Sequence, residues 1–270
     1  MALPGGLVRS DGVVDRTYSW RPIDGAVEAA LAGAARSRLR PEAVSLALAG
    51  TLDRLAGTPA TREAIDGLGV QDRRFLMIEL AAALGLSFAW STHACAACGA
   101  WFDVPLDLAE LPVAPAGEDY PASVAMTSRG RVRLRLPTGA DQIQVAASDD
   151  DAGAAALLAG LCASPEEPGP GTAFSAADLA VIDAALEELA PKLAWAVEAA
   201  CSECRHVTVI PIDTTAWLRR MADGPTADVH EIAIEYGWSE RDILALPRER
   251  RLKYLALIRG HGHDDSASLA

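Results

Sequence analysis

Two Cys-x-x-Cys pairs, Cys95/Cys98 and Cys201/Cys204, lie in stretches of sequence that match each other, and no other feature restricts the fold as much. From Cys95 the chain reads CAACGAWFDVPLDLAEL; from Cys201 it reads CSECRHVTVIPIDTTAWL. In both, a proline stands seven residues after the second cysteine and an aspartate nine, giving Pro105 with Asp107 and Pro211 with Asp213. Phe102 and Val104 alternate between these landmarks in one copy, Thr208 and Ile210 in the other. Sequence this similar at two places signals a duplicated structural unit.

The flanking residues follow a similar pattern, offset by one residue relative to the cysteines. Leu86, Phe88 and Trp90 alternate ahead of the first pair, and Leu193, Trp195 and Val197 ahead of the second, which predicts strands with one buried face. Each Cys-x-x-Cys then sits at the turn of a β-hairpin. A helix is expected before each hairpin. Leu76, Leu80 and Ala83 form its stripe in the first copy; Leu179, Ile182, Leu186 and Leu189 form it in the second, where Ser175 and Asp178 resemble a capping box. Further upstream, SWRPIDGAVEAA from Ser19 resembles RLRLPTGADQIQVAA from Arg133, with Pro22 matched to Pro137. The expected fold class is α+β: an internally duplicated helix-plus-β-hairpin unit joined by a shared zinc site, with a C-terminal helical tail.

The boundaries follow from this pattern. Residues 1–112 form the first repeat, 113–128 a Pro/Gly-rich linker and 129–218 the second repeat. Residues 219–262 form the helical segment, and 263–270 a disordered tail. Within the tail segment Asp228 can cap a helix that ends at Gly237. Ser239 can cap the next, and Pro247 suits the first position of the last.

Four soft ligands in a tetrahedron suit zinc, and structural sites often draw them as two Cys-x-x-Cys pairs. Each pair leaves two coordination positions open, so Cys95, Cys98, Cys201 and Cys204 are expected to share one structural Zn2+. Two other readings compete: unrelated buried thiols, and a redox dithiol. A thioredoxin-type dithiol opens a helix, where the dipole lowers a thiol pKa, whereas strand-like residues follow both pairs here. His93 and His206 are spare candidates, expected beside the cysteines or in solvent rather than as ligands, and Cys162 reads as a small core residue.

The formal net charge of −13 disfavours a phosphate-backbone partner. The N-terminus carries no secretion signal, and the uncharged run from Leu80 to Phe102 is interrupted by polar residues, so neither membrane nor export is expected. Five cysteines in such a chain suit reduced thiols and a cytoplasmic location. No Walker loop, GxSxG or HExxH motif occurs, and the expectation is that the chain is not an enzyme. Arg248, Arg250, Arg251 and Lys253 form a local basic cluster, read either as a solvated helix face or as a partner contact.

Four segments together resemble a known family: DRRFLMIEL before the first pair, LRLPTGAD, the paired knuckles, and the ending VHEIAIEYGWSERDILALPRERRLKYLALI. They are similar to the baseplate-hub assembly chaperone family of T-even-type phages, also found in phage-tail-like contractile injection gene clusters. The resemblance spans Asp72 to Ile258 and is most specific at His230, Trp238, Leu244, Pro247 and Tyr254. Members of that family commonly carry CPxCG knuckles; here both prolines and the second glycine are missing.

The resemblance implies a zinc-stabilised assembly factor or a baseplate-associated protein of a contractile phage tail-like injection system, free in the cytoplasm or built into the particle. Its partners would be baseplate or hub proteins, with Trp238, Arg248, Arg250, Arg251 and Tyr254 as contact residues. A zinc-ribbon module for nucleic acid and a Cys-x-x-Cys oxidoreductase are the alternatives. Transient chaperone and permanent subunit both fit the resemblance.

Overall fold

The computed structural model describes residues 1–9, 11–117, 119–146, 151–166 and 174–261. The expected disordered tail lies outside them. The fold is mixed, 45% helix and 27% strand in small sheets, and it is duplicated.

The first repeat begins with β1 (Ala2–Val8) and β2 (Val14–Trp20), followed by α1 (Gly25–Ala35), α2 (Arg40–Thr51) and β3 (Leu52–Leu55). An insertion, β4 (Thr58–Pro59) and α3 (Arg62–Asp66), precedes α4 (Val70–Ala83). The knuckle hairpin is β5 (Phe88–Ala94) and β6 (Trp101–Asp107), followed by a 3₁₀ turn at Leu108–Glu110 and by β7 (Val113–Ala114).

The second repeat runs β8 (Ala122–Thr127), β9 (Gly130–Arg135), α5 (Gly139–Ala146), α6 (Asp151–Cys162), β10 (Ala163–Pro165) and α7 (Ala176–Leu189). After β11 (Lys192–Leu193) comes its hairpin, β12 (Ala196–Ala200) and β13 (Val207–Pro211), again followed by a 3₁₀ turn, Ala216–Met221. The strand orders agree as well: β1-β2-β3 in one copy and β8-β9-β10 in the other, with β4 added to the first.

Matching side chains hold the copies in the same shape. Asp72 and Asp178 are both the third residue of the helix before the hairpin, and each reaches back to its repeat's opening hairpin. Asp72 accepts from the amides of Gly5 and Gly6, each at 2.8 Å, and Asp178 from the Ser128 amide at 2.6 Å. Asp107 and Asp213 each accept the amide two residues on and start the 3₁₀ turn. The register of the α1 and α5 entries differs by one residue from the expected proline match. Val70 N donates to Pro137 O and Arg248 N to Ile23 O, which aligns Pro137 with Ile23 and Gly139 with Gly25. Neither glycine has room for a Cβ: Gly139 lies against the Arg73 guanidinium and Gly25 against Leu244.

The chain falls into two compact units whose boundaries are not those of the repeats. One comprises 1–18 and 54–217; the other comprises 19–53 and 218–270. The first contains both knuckle hairpins. Its residues 113–128 are no free linker, since β7 pairs with β11, Ala116 N donates to Pro4 O at 2.9 Å and Tyr120 Oη donates to Gly6 O at 2.6 Å.

The second unit packs α1 and α2 with α8 (Thr226–Tyr236), α9 (Glu240–Leu244) and α10 (Arg248–His261). Helix α8 begins at Thr226, so Asp228 lies inside its first turn instead of capping it; Gly237 ends it at φ 66° and Ser239 caps α9, as expected. Pro247 is the residue before α10, its carbonyl accepting from Arg251 N at 3.1 Å.

The α9–α10 corner repeats the α3–α4 corner. Thr61 and Ser239 each accept from the amide three residues on at 3.2 Å, Ile65 and Ile243 are buried, and Arg73 and Arg251 are buried at the same place in the longer helix. Arg73 donates to Ile65 O at 3.1 Å and pairs with Asp66 at 3.3 Å. Arg251 pairs with Glu28 of α1, itself buried, and with Asp228 at 3.6 Å; Arg248 pairs with Glu28 as well.

Candidate metal centre

Local backbone chemistry builds each knuckle before the two meet. In the first, Cys95 N donates to Ala100 O and Gly99 N to Cys95 O, both at 2.9 Å. In the second, Cys201 N donates to His206 O at 2.9 Å and Arg205 N to Cys201 O at 3.0 Å. These bonds wrap the intervening residues so that both thiols of a pair face one side. The residue after each second cysteine sits in the left-handed region, Gly99 at φ 73° and Arg205 at φ 63°.

The hairpins pack through one face each. Phe102, Val104 and Ile210 are buried with Cys95 and Cys201, and Ala100, Val197 and Ala199 close the sides. This packing brings the four sulfurs together. Sγ of Cys95 is 3.6 Å from that of Cys204, Sγ of Cys98 is 3.8 Å from that of Cys201, and all four lie within 4.8 Å of one another. Four thiolates about 2.3 Å from one central ion stand roughly 3.8 Å apart at tetrahedral angles, so the set fits a single metal ion.

The thiols are electrostatically unequal. The amides of Cys98 and Ala97 point at Cys95 and hold it down at about 6. At Cys98 the Ala100 amide acts in the same direction, but hydrogen bonding with the Cys204, Cys95 and Cys201 sulfurs, together with desolvation, pushes it up to about 12. Hydrogen bonding between neighbouring sulfurs thus favours the thiolate at Cys95 and the thiol at Cys98, and coordination of a cation would require Cys98 to give up its proton.

The spare candidates stay out. His93 Nε2 is 2.9 Å from Ser91 Oγ, and His206 is exposed. Cys162 is buried between α6 and β10, with burial pushing its thiol up to about 11.

Of the five expected contact residues, three come together and two do not. Trp238 and Tyr254 meet edge-on with ring centroids 5.0 Å apart, Tyr236 stacks on Trp238 at 5.1 Å, and Arg250 lies 5.9 Å from the Tyr254 ring centre. Arg248 and Arg251 turn inward to Glu28, Arg251 with no exposed surface. They are structural cations of the second unit and not a surface patch, because buried Glu28 requires them.

The alternation ahead of the knuckles does not mark the buried face. Leu86 and Leu193 are buried, yet Phe88 is 47% exposed, Trp90 64% and, in the second copy, Trp195 63%. The side of the hairpin that packs is supplied by Phe102 and Val104 of the other strand. Alternation reports that a strand has two unlike faces, not which of them meets a partner; here the second hairpin covers the face of Phe102 and Val104 and leaves that of Trp90 and Trp101 in solvent. The first helix stripe shifts likewise: Leu76 and Leu80 are buried, but Ala83 is exposed and Met77, Ala81 and Leu84 complete the core.

Compared with known protein-family models, curated proteins and solved structures, the chain matches none. No helix among the described residues is long and apolar enough to cross a membrane.

Proposed function

We propose that the four thiolates hold one zinc ion and that the chain is a non-enzymatic, zinc-stabilised assembly factor or baseplate-associated protein of a contractile, phage-tail-like particle. Zinc, when bound by four sulfurs, supplies a cross-link between hairpins and no open coordination position for substrate. Cys95 and Cys201 anchor it from the buried side and Cys98 and Cys204 from the exposed side.

The observation that carries the reading is the pairing of this closed, four-sulfur set with aromatic side chains left in solvent on the same hairpin. A closed site suits structure, and exposed tryptophans suit recognition of another protein. The contractile-particle part of the reading, with baseplate or hub proteins as partners and a cytoplasmic place of action, rests on the resemblance of Asp72 to Ile258. It is tested by tagging the chain in cells that make such a particle and identifying co-purifying proteins by mass spectrometry, alongside metal analysis. One zinc per chain together with baseplate subunits is the expected result. A metal-free protein overturns the zinc assignment, and zinc-loaded protein with no particle component overturns the assembly role.

A further inference from the structure

The outer face of the first knuckle hairpin is laid out in rows. Strand pairing sets Trp90 opposite Pro105, Thr92 opposite Asp103 and Ala94 opposite Trp101, and side chains two residues apart share a face. Trp90 and Trp101 therefore lie on either side of the Thr92–Asp103 row, each one row away, which is about 7 Å along the strand. Thr92 Oγ1 donates to Asp103 at 2.6 Å and holds the carboxylate in place between the two aromatic rows. The inner face is occupied by the second hairpin, so this outer face is free of it.

The charge on this part of the chain has one sign. Between Arg74 and Arg129 there is no lysine or arginine against six acidic residues, so no cation close in sequence is available to satisfy Asp103. Among the described residues no ion pair reaches Asp103 or Asp107. A held carboxylate between two exposed indoles is the complement of a guanidinium or ammonium group, which stacks on the rings and pairs with the acid. An extended segment presents alternate side chains about 7 Å apart, which is the row spacing of the face. The second hairpin offers no such arrangement: its outer rows set Glu198 opposite Val209 and Ala200 opposite Val207, so a carboxylate is present but no aromatic flanks it.

We propose that the outer face of β5–β6 binds an extended protein segment carrying Arg or Lys at alternate positions, with Trp90 and Trp101 stacking the cations and Asp103 pairing between them. This goes beyond the assembly reading by naming the partner's chemistry, and its test needs no particle component.

The zinc-loaded full chain is titrated, in physiological salt, with a synthetic peptide alternating Arg and Thr over about twelve residues, and with the same peptide carrying Gln for Arg. Binding is read by tryptophan fluorescence and calorimetry. The Arg peptide is expected to bind at least about tenfold more tightly than the Gln peptide, with Trp90→Ala and Trp101→Ala each weakening it about tenfold. Asp103→Asn, which keeps the shape and removes only charge, is expected to weaken it about threefold or more, and Val209→Ala to leave it unchanged. Metal content and circular dichroism check that each variant is folded. The tryptophan variants carry the full charge, so if they bind the Arg peptide like wild type, attraction to an acidic chain explains the binding and the proposal fails. Equal binding of the Gln peptide overturns it too, as does a dimer that dissociates on Trp101→Ala, which would assign the face to a second copy.

Discussion

In the first knuckle hairpin the residue after the second cysteine is Gly99; in the second it is Arg205, and both occupy the left-handed region. The backbone hydrogen bonds are the same, and so is the contribution of one buried and one exposed cysteine. The turn geometry is therefore imposed by the knuckle and tolerated by arginine at a cost, instead of being created by glycine. A second contrast is on the outer faces: both carry a carboxylate, Asp103 in one and Glu198 in the other, but only the first flanks it with tryptophans. The two copies agree in the part that gathers the four thiols and differ in the part that faces outward.

The largest effect expected tests whether the hairpins depend on one ion. Structural zinc in small knuckles is worth about 10–16 kcal/mol of apparent binding free energy, which is folding free energy. Cys201→Ser should abolish bound zinc and loosen both hairpins, measured as metal per chain and as faster amide hydrogen exchange across both hairpins. If the first hairpin keeps its metal in this variant, the shared site is wrong.

The next contrast is between the two buried-arginine corners. Removing Glu28 leaves fully buried Arg251 with only the longer contact to Asp228, and breaking a buried pair from one side costs about 3–5 kcal/mol. Glu28→Ala should lower the denaturation midpoint of the second unit and leave zinc content intact. Loss of zinc in this variant would show that the two units do not fold independently.

A smaller effect separates the knuckle turns themselves. Arg205→Gly should stabilise the second by up to about 1 kcal/mol, and Gly99→Ala should destabilise the first by about 1–2 kcal/mol. Urea denaturation of the zinc-loaded variants measures both, and equal signs would refute the equivalence of the turns.

The smallest effect concerns Asp72 and Asp178, equivalent in sequence and opposite in titration. Hydrogen bonds from the Ser128 amide and hydroxyl and the Ser175 hydroxyl hold the Asp178 carboxyl far below the usual range. Burial raises Asp72 despite the Gly5 and Gly6 amides. An unfolded aspartate titrates near about 3.9. The stability contributed by Asp178 is thus present above that value and lost as pH falls through the folded pKa. That of Asp72 is fully present below it and fades as pH rises through the folded pKa. The cost of Asp178→Asn should shrink on acidification from about pH 5, and that of Asp72→Asn should shrink as pH rises above about 4. Each variant is compared with wild type at the same pH, which cancels the metal's own pH dependence. Parallel slopes would mean that the two carboxyls share one environment.

Much of this was legible from local pattern. The spacing Cys95–Pro105–Asp107 against Cys201–Pro211–Asp213 identified the hairpins, because knuckle and strand geometry are set within about a dozen residues. Ser175 with Asp178 and Ser239 with Asp242 marked helix starts through bonds spanning one turn. The repeated corner at Thr61 and Ser239 was also present, as Ile65–Leu68–Arg73 against Ile243–Leu246–Arg251, but the identities are sparse and only the shared burial of the isoleucines and arginines makes them visible.

The duplication, the two knuckles and the caps are written in local residue patterns, since each rests on short-range hydrogen bonding and periodicity. Long-range packing brings the four sulfurs within 4.8 Å of one another. The same packing turns Arg248 and Arg251 inward to Glu28 and leaves Trp90 and Trp101 in solvent while Phe102 and Val104 are buried. An apolar residue or a cation carries the same chemistry on either side of a strand or helix. Which side is buried depends on where a partner element, far away in the chain, comes to rest.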